Sequence, residues 1–183
     1  MDIFEAIKER RSIRKYKPDP VSDSDLTQVL EAAKWAPSWA NTQCWEFVVV
    51  RDRELRAELA RTLPDRNPAK ASITQAPIVI VACAHKGKSG CYKGNPVTDK
   101  GDWFMFDVGL AMQNLTLAAH AIGLGTVHVG FFDAKKAAEI LGLLEEMVVV
   151  EMTPLGWPDQ QVKAPPRKEL SELVSYDRFG KKE

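Results

Sequence analysis

The sequence predicts an α+β domain built around a sheet of about four strands. Four short runs rich in β-branched and aromatic residues support this: WEFVVV at 45–50, PIVIVACA at 77–84, GLGTVHVGFF at 123–132, and MVVVEMTPLGW, a strand ending at Gly156. Stretches with helical apolar spacing separate them. PIVIVACA is apolar almost without interruption, as a central strand buried on both faces would be. The chain has 183 residues, is 45% hydrophobic and carries no repeat or low-complexity linker, so residues 1–183 are expected to form one domain.

Asp2 is placed to cap a first helix whose apolar positions are Ile3, Phe4 and Ile7. It runs into the basic segment RRSIRKYKP, where Pro18 stops regular structure. Ser22 followed by Asp25 resembles a capping box, and Leu26, Val29, Leu30 and Ala33 give the second helix its apolar face. That helix ends before Pro37, and the irregular stretch PSWANTQC leads into the first strand. A charged helix follows from about Asp52, ahead of the strand PIVIVACA. Residues 85–101, HKGKSGCYKGNPVTDKG, are too many for a simple connector and read as a flap or exposed insertion. Asp102 opens the longest helical pattern, apolar on most sides, which ends at Gly123. After the strand at 123–132, Asp133 caps a further helix, DAKKAAEILG, before the fourth strand. The tail from Trp157 presents Leu170, Leu173, Val174, Tyr176 and Phe179 with little local structure to bury them, so it is expected to wrap over its own subunit or a partner.

Lys plus Arg and Asp plus Glu number 25 each, so no net field draws the chain to nucleic acid or an anionic membrane. The apolar runs are too short to span a bilayer. Cys44, Cys83 and Cys91 are an odd count without a CxxC pair, which points away from a disulfide framework and toward a reducing cytoplasm. His85, His120 and His128 are scattered without metal-ligand spacing, and no metal site is expected.

Two segments carry chemistry. Arg10, Arg11, Ser12 and Arg14 set three guanidinium groups and a hydroxyl within five residues, suited to bidentate phosphate capture, although a solvated helix exit has the same composition. Ser38, Asn41, Thr42 and Gln43 offer hydrogen bonds between Trp39 and Trp45, as a flat heteroaromatic ligand needs, and also as an ordinary helix-to-strand turn would. Gly123, Gly125 and Gly130 permit close backbone approach, but no GxGxxG opens a helix, so the dinucleotide fingerprint is absent.

The successive blocks RRSIRKY, PSWANTQCWEFVVV, QNLTLAAHAIGLGTVHVGFFD and PPRKELSELVSYDRFG resemble those of the FMN-dependent nitroreductase family, over nearly the whole chain and least over residues 51–102. The resemblance implies a three-layer α/β/α fold with a mixed, mainly antiparallel sheet and a C-terminal tail extending to a dimer partner. It implies FMN as cofactor and NADH or NADPH as electron donor. The phosphate and ribityl chain would be held by Arg10, Arg11, Ser12 and Arg14, with Arg167 and more weakly Lys168 closing from the tail. Pro37, Ser38, Trp39, Asn41 and Gln43 would reach the flavin across a homodimer interface. His128, Val129, Gly130 and Phe131 would lie along the isoalloxazine, with the Gly130 N–H facing N5. Cys44 stands where the family usually has proline, and Trp39 is bulky where serine is common.

The implied reaction is a two-step transfer of hydride from the nicotinamide to FMN and then of electrons to a nitroaromatic, quinone or similar small molecule. No protein acid or base is required. Reductive dehalogenation and flavin fragmentation occur on similar scaffolds, where a lid lies between the second strand and the long helix, and the 85–101 insertion takes that place here. A flavin-binding sensor without turnover is the reading from a different class.

Overall fold

The computed structural model describes residues 1–182. Helix α1 (Ile3–Glu9) is capped by Asp2, whose side chain accepts from the Glu5 N–H, and α2 (Asp23–Lys34) by Ser22 accepting from the Asp25 N–H. Asp25 departs from the usual box: its shorter side chain takes the Ser22 hydroxyl proton at 2.7 Å. Strand β1 (Trp45–Val50) leads to α3 (Arg53–Arg61), capped by Asp52, and then to α4 (Lys70–Gln75), a short helix that the charged pattern after Asp52 did not separate. The buried Arg56 ties these two helices together by donating to the carbonyls of Thr74, at 2.9 Å, and Ala76.

Strand β2 (Ile78–His85) is followed by the insertion, which carries a hairpin of β3 (Cys91–Tyr92) and β4 (Asn95–Pro96). Helix α5 (Phe104–Ala121) begins two residues later than Asp102, whose carboxylate accepts from the Gly87 N–H of the insertion and from the Phe104 N–H that opens the helix. The chain ends in β5 (Gly125–Thr126), α6 (Ala134–Leu141) capped by Asp133, β6 (Met147–Gly156) and α7 (Leu170–Leu173).

The sheet runs β1-β2-β6-β5 with every named pair antiparallel, and an isolated parallel bridge between Ser12 and Thr126 adds the mixed character. Side-chain alternation along β2 then builds three layers. Ile78, Ile80, Ala82 and Ala84 pack against α2 and α5, while Val79, Val81 and Cys83 pack against α3, α4 and α6. The expected three-layer α/β/α arrangement is therefore present.

The expected strand at 123–132 is much shorter. Leu124 N–H still bonds back to Ala119 O in α5, and beyond Thr126 only Val129 pairs with Met152 of β6. From Phe131 onward the backbone bonds instead to the loop after α3, through Asn67 Nδ2 to Phe131 O at 2.9 Å and Asp133 N–H to Thr62 O at 2.9 Å. Close approach decides Gly125: a Cβ there would stand 2.9 Å from Ile13.

Ile80 is fully buried between sheet and helices. Ile80→Ala is expected to cost about 2–5 kcal/mol. Urea unfolding checks this, and the midpoint should fall with little change in m.

Candidate functional site

The Arg10–Arg14 segment leaves α1 and lies along the sheet edge. Ile13 N–H donates to Thr126 O at 2.9 Å, and the buried Tyr16 hydroxyl donates to Ile13 O at 2.7 Å. Arg10 Nη1 and Arg14 Nε are buried without a hydrogen-bond partner. Burial, then Arg11 and then Arg167 hold Arg10 below the usual guanidinium range, so the tail does bring Arg167 toward Arg10. Among the described residues Arg167 makes only long contacts, 3.4 Å, to the carbonyls of Pro165 and Pro166, and Lys168 is exposed. Arg11 behaves differently: its Nη1 is spent on Lys8 O at 2.5 Å and Arg10 O at 2.7 Å.

Arg10 and Arg11 line a cavity of about 370 Å³ with Thr126, Gln160 and His120. Burial first, then Arg10 and Arg11, lower the His120 pKa, so a neutral imidazole faces the cavity at neutral pH.

The loop from Pro37 to Cys44 is held in an unusual conformation. Ala40, Asn41 and Gln43 have φ of 44°, 55° and 46°, the left-handed region, where non-glycine residues are uncommon. Local bonds close it: Asn41 N–H to Ser38 O at 3.0 Å, Gln43 N–H to Ser38 Oγ at 2.9 Å, and Gln43 Nε2 to Asn41 Oδ1 at 3.2 Å. Pro37, Asn41 and Gln43 border a cavity of about 490 Å³. Within one chain the loop and the arginine face thus line different concavities.

Along the third segment, Val129 is buried in its bridge to β6, whereas His128, Gly130 and Phe131 are exposed. His128 Nδ1 pairs with Glu151 at 2.8 Å, and a Cβ on Gly130 would meet nothing within 4 Å. Arg66 lies 5.4 Å from the Phe131 ring centroid.

Sequence reasoning missed Asn67 and Arg66, which hold Phe131, and above all Asp107. This carboxylate is only 1% exposed yet receives the Trp39 N–H at 3.2 Å and the Ser89 hydroxyl at 2.6 Å. A lone acid inside the apolar pattern of α5 was the available signal, since a buried charge must find donors. Cys44 is fully buried with Sγ 3.8 Å from Asp107 Oδ2, and burial together with Asp107 pushes its thiol up to about 12. The insertion is anchored at its base by the buried Ser89 and Gly90 and exposed at its tip, residues 92–97.

The family model described as the nitroreductase family matches residues 7–71 and 61–157. A putative NADH dehydrogenase/NAD(P)H nitroreductase of Methanothermobacter thermautotrophicus is 33% identical over 162 residues, covering 86% of this chain and 78% of that protein. An NADPH-flavin oxidoreductase of Vibrio harveyi is 31% identical over 181 residues, covering 96% and 74%. Among solved structures, an FMN-dependent nitroreductase of Clostridium difficile superposes with a TM-score of 0.81 at 27% identity, covering 97% of this chain and 100% of that one.

Thiol titration checks the Cys44 environment. Cys83 is likewise buried and pushed up to about 12, mainly by burial, and only Cys91 is partly open. A disulfide reagent at pH 8 should label no more than one thiol of the native chain rapidly and all three after unfolding.

Proposed function

The chain belongs to the nitroreductase family, and on that premise we propose that it is an FMN-dependent oxidoreductase using NADH or NADPH to reduce an electron-poor small molecule. Residues 1–183 act as one such domain. The gathering of like charges about Arg10 carries the reading: Arg11 and Arg167 both bear on its guanidinium, and Arg10 Nη1 and Arg14 Nε are each buried and unpartnered. Such an arrangement is costly until an anion fills it. A phosphate dianion fits that donor set, with Ser12 adding its hydroxyl and Lys168 standing at the rim. Arg11, whose Nη1 holds the end of α1, shapes the segment and adds positive charge.

When bound, FMN would supply the hydride and electron-transfer chemistry between the nicotinamide and the acceptor. The protein's share is placement and exclusion. Gly130 leaves open space beside the strand end, so donor and acceptor can use the same face in turn, in a ping-pong sequence. His128, Val129 and Phe131 border that opening, and Asn67 and Arg66 fix Phe131.

The second group, Pro37, Ser38, Trp39, Asn41 and Gln43, completes the site from a second copy. Surface chemistry supports the homodimer. Phe4 and Trp35 are 74% and 79% exposed, and Ile3, Ala6, Trp35, Leu117 and Ala121 line a groove of about 450 Å³. Leu170, Leu173 and Phe179 of the tail are also left uncovered by their own subunit. Two apolar surfaces without a partner in one chain are satisfied together if each tail lies on the other copy.

Charge-assisted hydrogen bonds are worth about 1.5–3 kcal/mol, so Arg14→Ala and Arg167→Ala should each weaken FMN binding by roughly ten- to a hundredfold. Quenching of flavin fluorescence measures this, and wild-type affinity in both variants would refute the phosphate assignment. The activity has its own test: NADH or NADPH should bleach the flavin absorbance and a quinone should restore it, whereas a sensor without turnover would show neither. Sedimentation of the flavin-loaded protein should give a dimer.

A further inference from the structure

Asp107 lies in the first turn of α5, and three donors from two other segments, the Pro37–Cys44 loop and the insertion, converge on it. The Trp39 N–H reaches both carboxylate oxygens at 3.2 Å, the Ser89 hydroxyl donates to Oδ2 at 2.6 Å, and Cys44 Sγ stands 3.8 Å away. An ionised carboxylate only accepts, so it can satisfy all of them at once, and an amide could not. The contacts close into a ring. The Trp39 indole packs on Trp103 with centroids 5.1 Å apart, and Trp103 N–H donates to Ser89 O at 3.0 Å.

Trp103 is further fixed by Nε1 donating to Thr98 Oγ1 at 3.1 Å, and by Gly90, where a Cβ would stand 2.4 Å from the indole. Its other side meets Phe106 edge to face at 5.3 Å. Phe106 is 56% exposed, and with Trp103, Met105, Asp102 and Lys100 it lines an open cavity of about 250 Å³. The exposed Phe106 ring, braced edge to face by an indole that is itself fixed from several sides and packed on Trp39, offers one aromatic face for a flat ring.

We propose that Asp107 is a positioning residue for the acceptor: by fixing the Trp39–Trp103–Phe106 wall it makes the site prefer flat, electron-poor aromatics to compact acceptors that cannot stack. This rests on the flavin-reductase reading above. The wall joins the loop expected at the flavin to the insertion after β2, so one carboxylate sets the position of both.

The test compares 4-nitrobenzoate with ferricyanide on the FMN-loaded protein, with NADH or NADPH as donor. In Asp107→Asn, Ser89→Ala and Trp103→Leu the ratio of the nitrobenzoate KM to the ferricyanide KM should rise by about three- to tenfold, the range for loss of an aromatic contact. Asp107→Asn should also lose near-ultraviolet circular dichroism from its tryptophans. Should that variant fail to fold, the other two still decide. A KM ratio at the wild-type value in the folded variants overturns the proposal. If the wild-type protein reduces neither acceptor, the flavin-reductase reading has failed, and quenching of tryptophan fluorescence by nitrobenzoate then decides the wall. Weaker quenching in Ser89→Ala and Trp103→Leu supports it, and equal quenching refutes it.

Discussion

Strand β2 has no solvent face, because its residues from Ile78 to Ala84 are buried and alternate between two apolar cores. Both of its edges are also paired, to β1 and β6, so its backbone groups are satisfied within the sheet. A strand of this kind obliges helices to cover both sides. Helices α2 and α5 take one side and α3, α4 and α6 the other, which leaves function to the rims. The arginine segment runs along the β5 edge, the Pro37–Cys44 loop enters β1, and the insertion leaves the far end of β2.

At those rims, strain and buried charge are set against each other. Ala40, Asn41 and Gln43 occupy left-handed backbone at a cost of order 1–3 kcal/mol each. The loop persists because the Trp39 N–H is tied to a buried carboxylate and because Ser38 closes the turn on both sides. Asp107 in turn is tolerable inside α5 only because donors from the loop and the insertion surround it. Each feature would be unfavourable alone, so loop, insertion and helix start are held as a unit.

Much of the fold could be read from periodicity, since α1, α2, α5, α6 and the strands β1, β2 and β6 are long or strongly patterned. Strand β5 and helix α4 were not legible as they stand. The run at 123–132 has strand composition, but after Val129 the chain leaves β6, with Phe131 O taken by Asn67 and the Asp133 N–H given to Thr62, which no local pattern reveals. Left-handed residues at 40, 41 and 43 gave no glycine to mark them. Asp107 draws on partners 18, 63 and 68 residues away, and such separations leave no spacing to detect. The arginine cluster was visible as composition, yet only the coordinates separate Arg11, engaged at a helix end, from Arg10 and Arg14.

The arginine face shows how a fold can be arranged around something it does not itself contain. Tyr16, buried and bonded to Ile13 O, pins a segment in which positive groups accumulate and from which Arg167 is not turned away. Self-repulsion and desolvation both oppose that arrangement in the protein alone, and the attraction of a bound phosphate would offset both. A group that binds only the folded chain adds its binding free energy to stability. The flavin phosphate would then serve twice, as an anchor for the reacting ring and as the counter-charge for Arg10 and the guanidinium groups that bear on it.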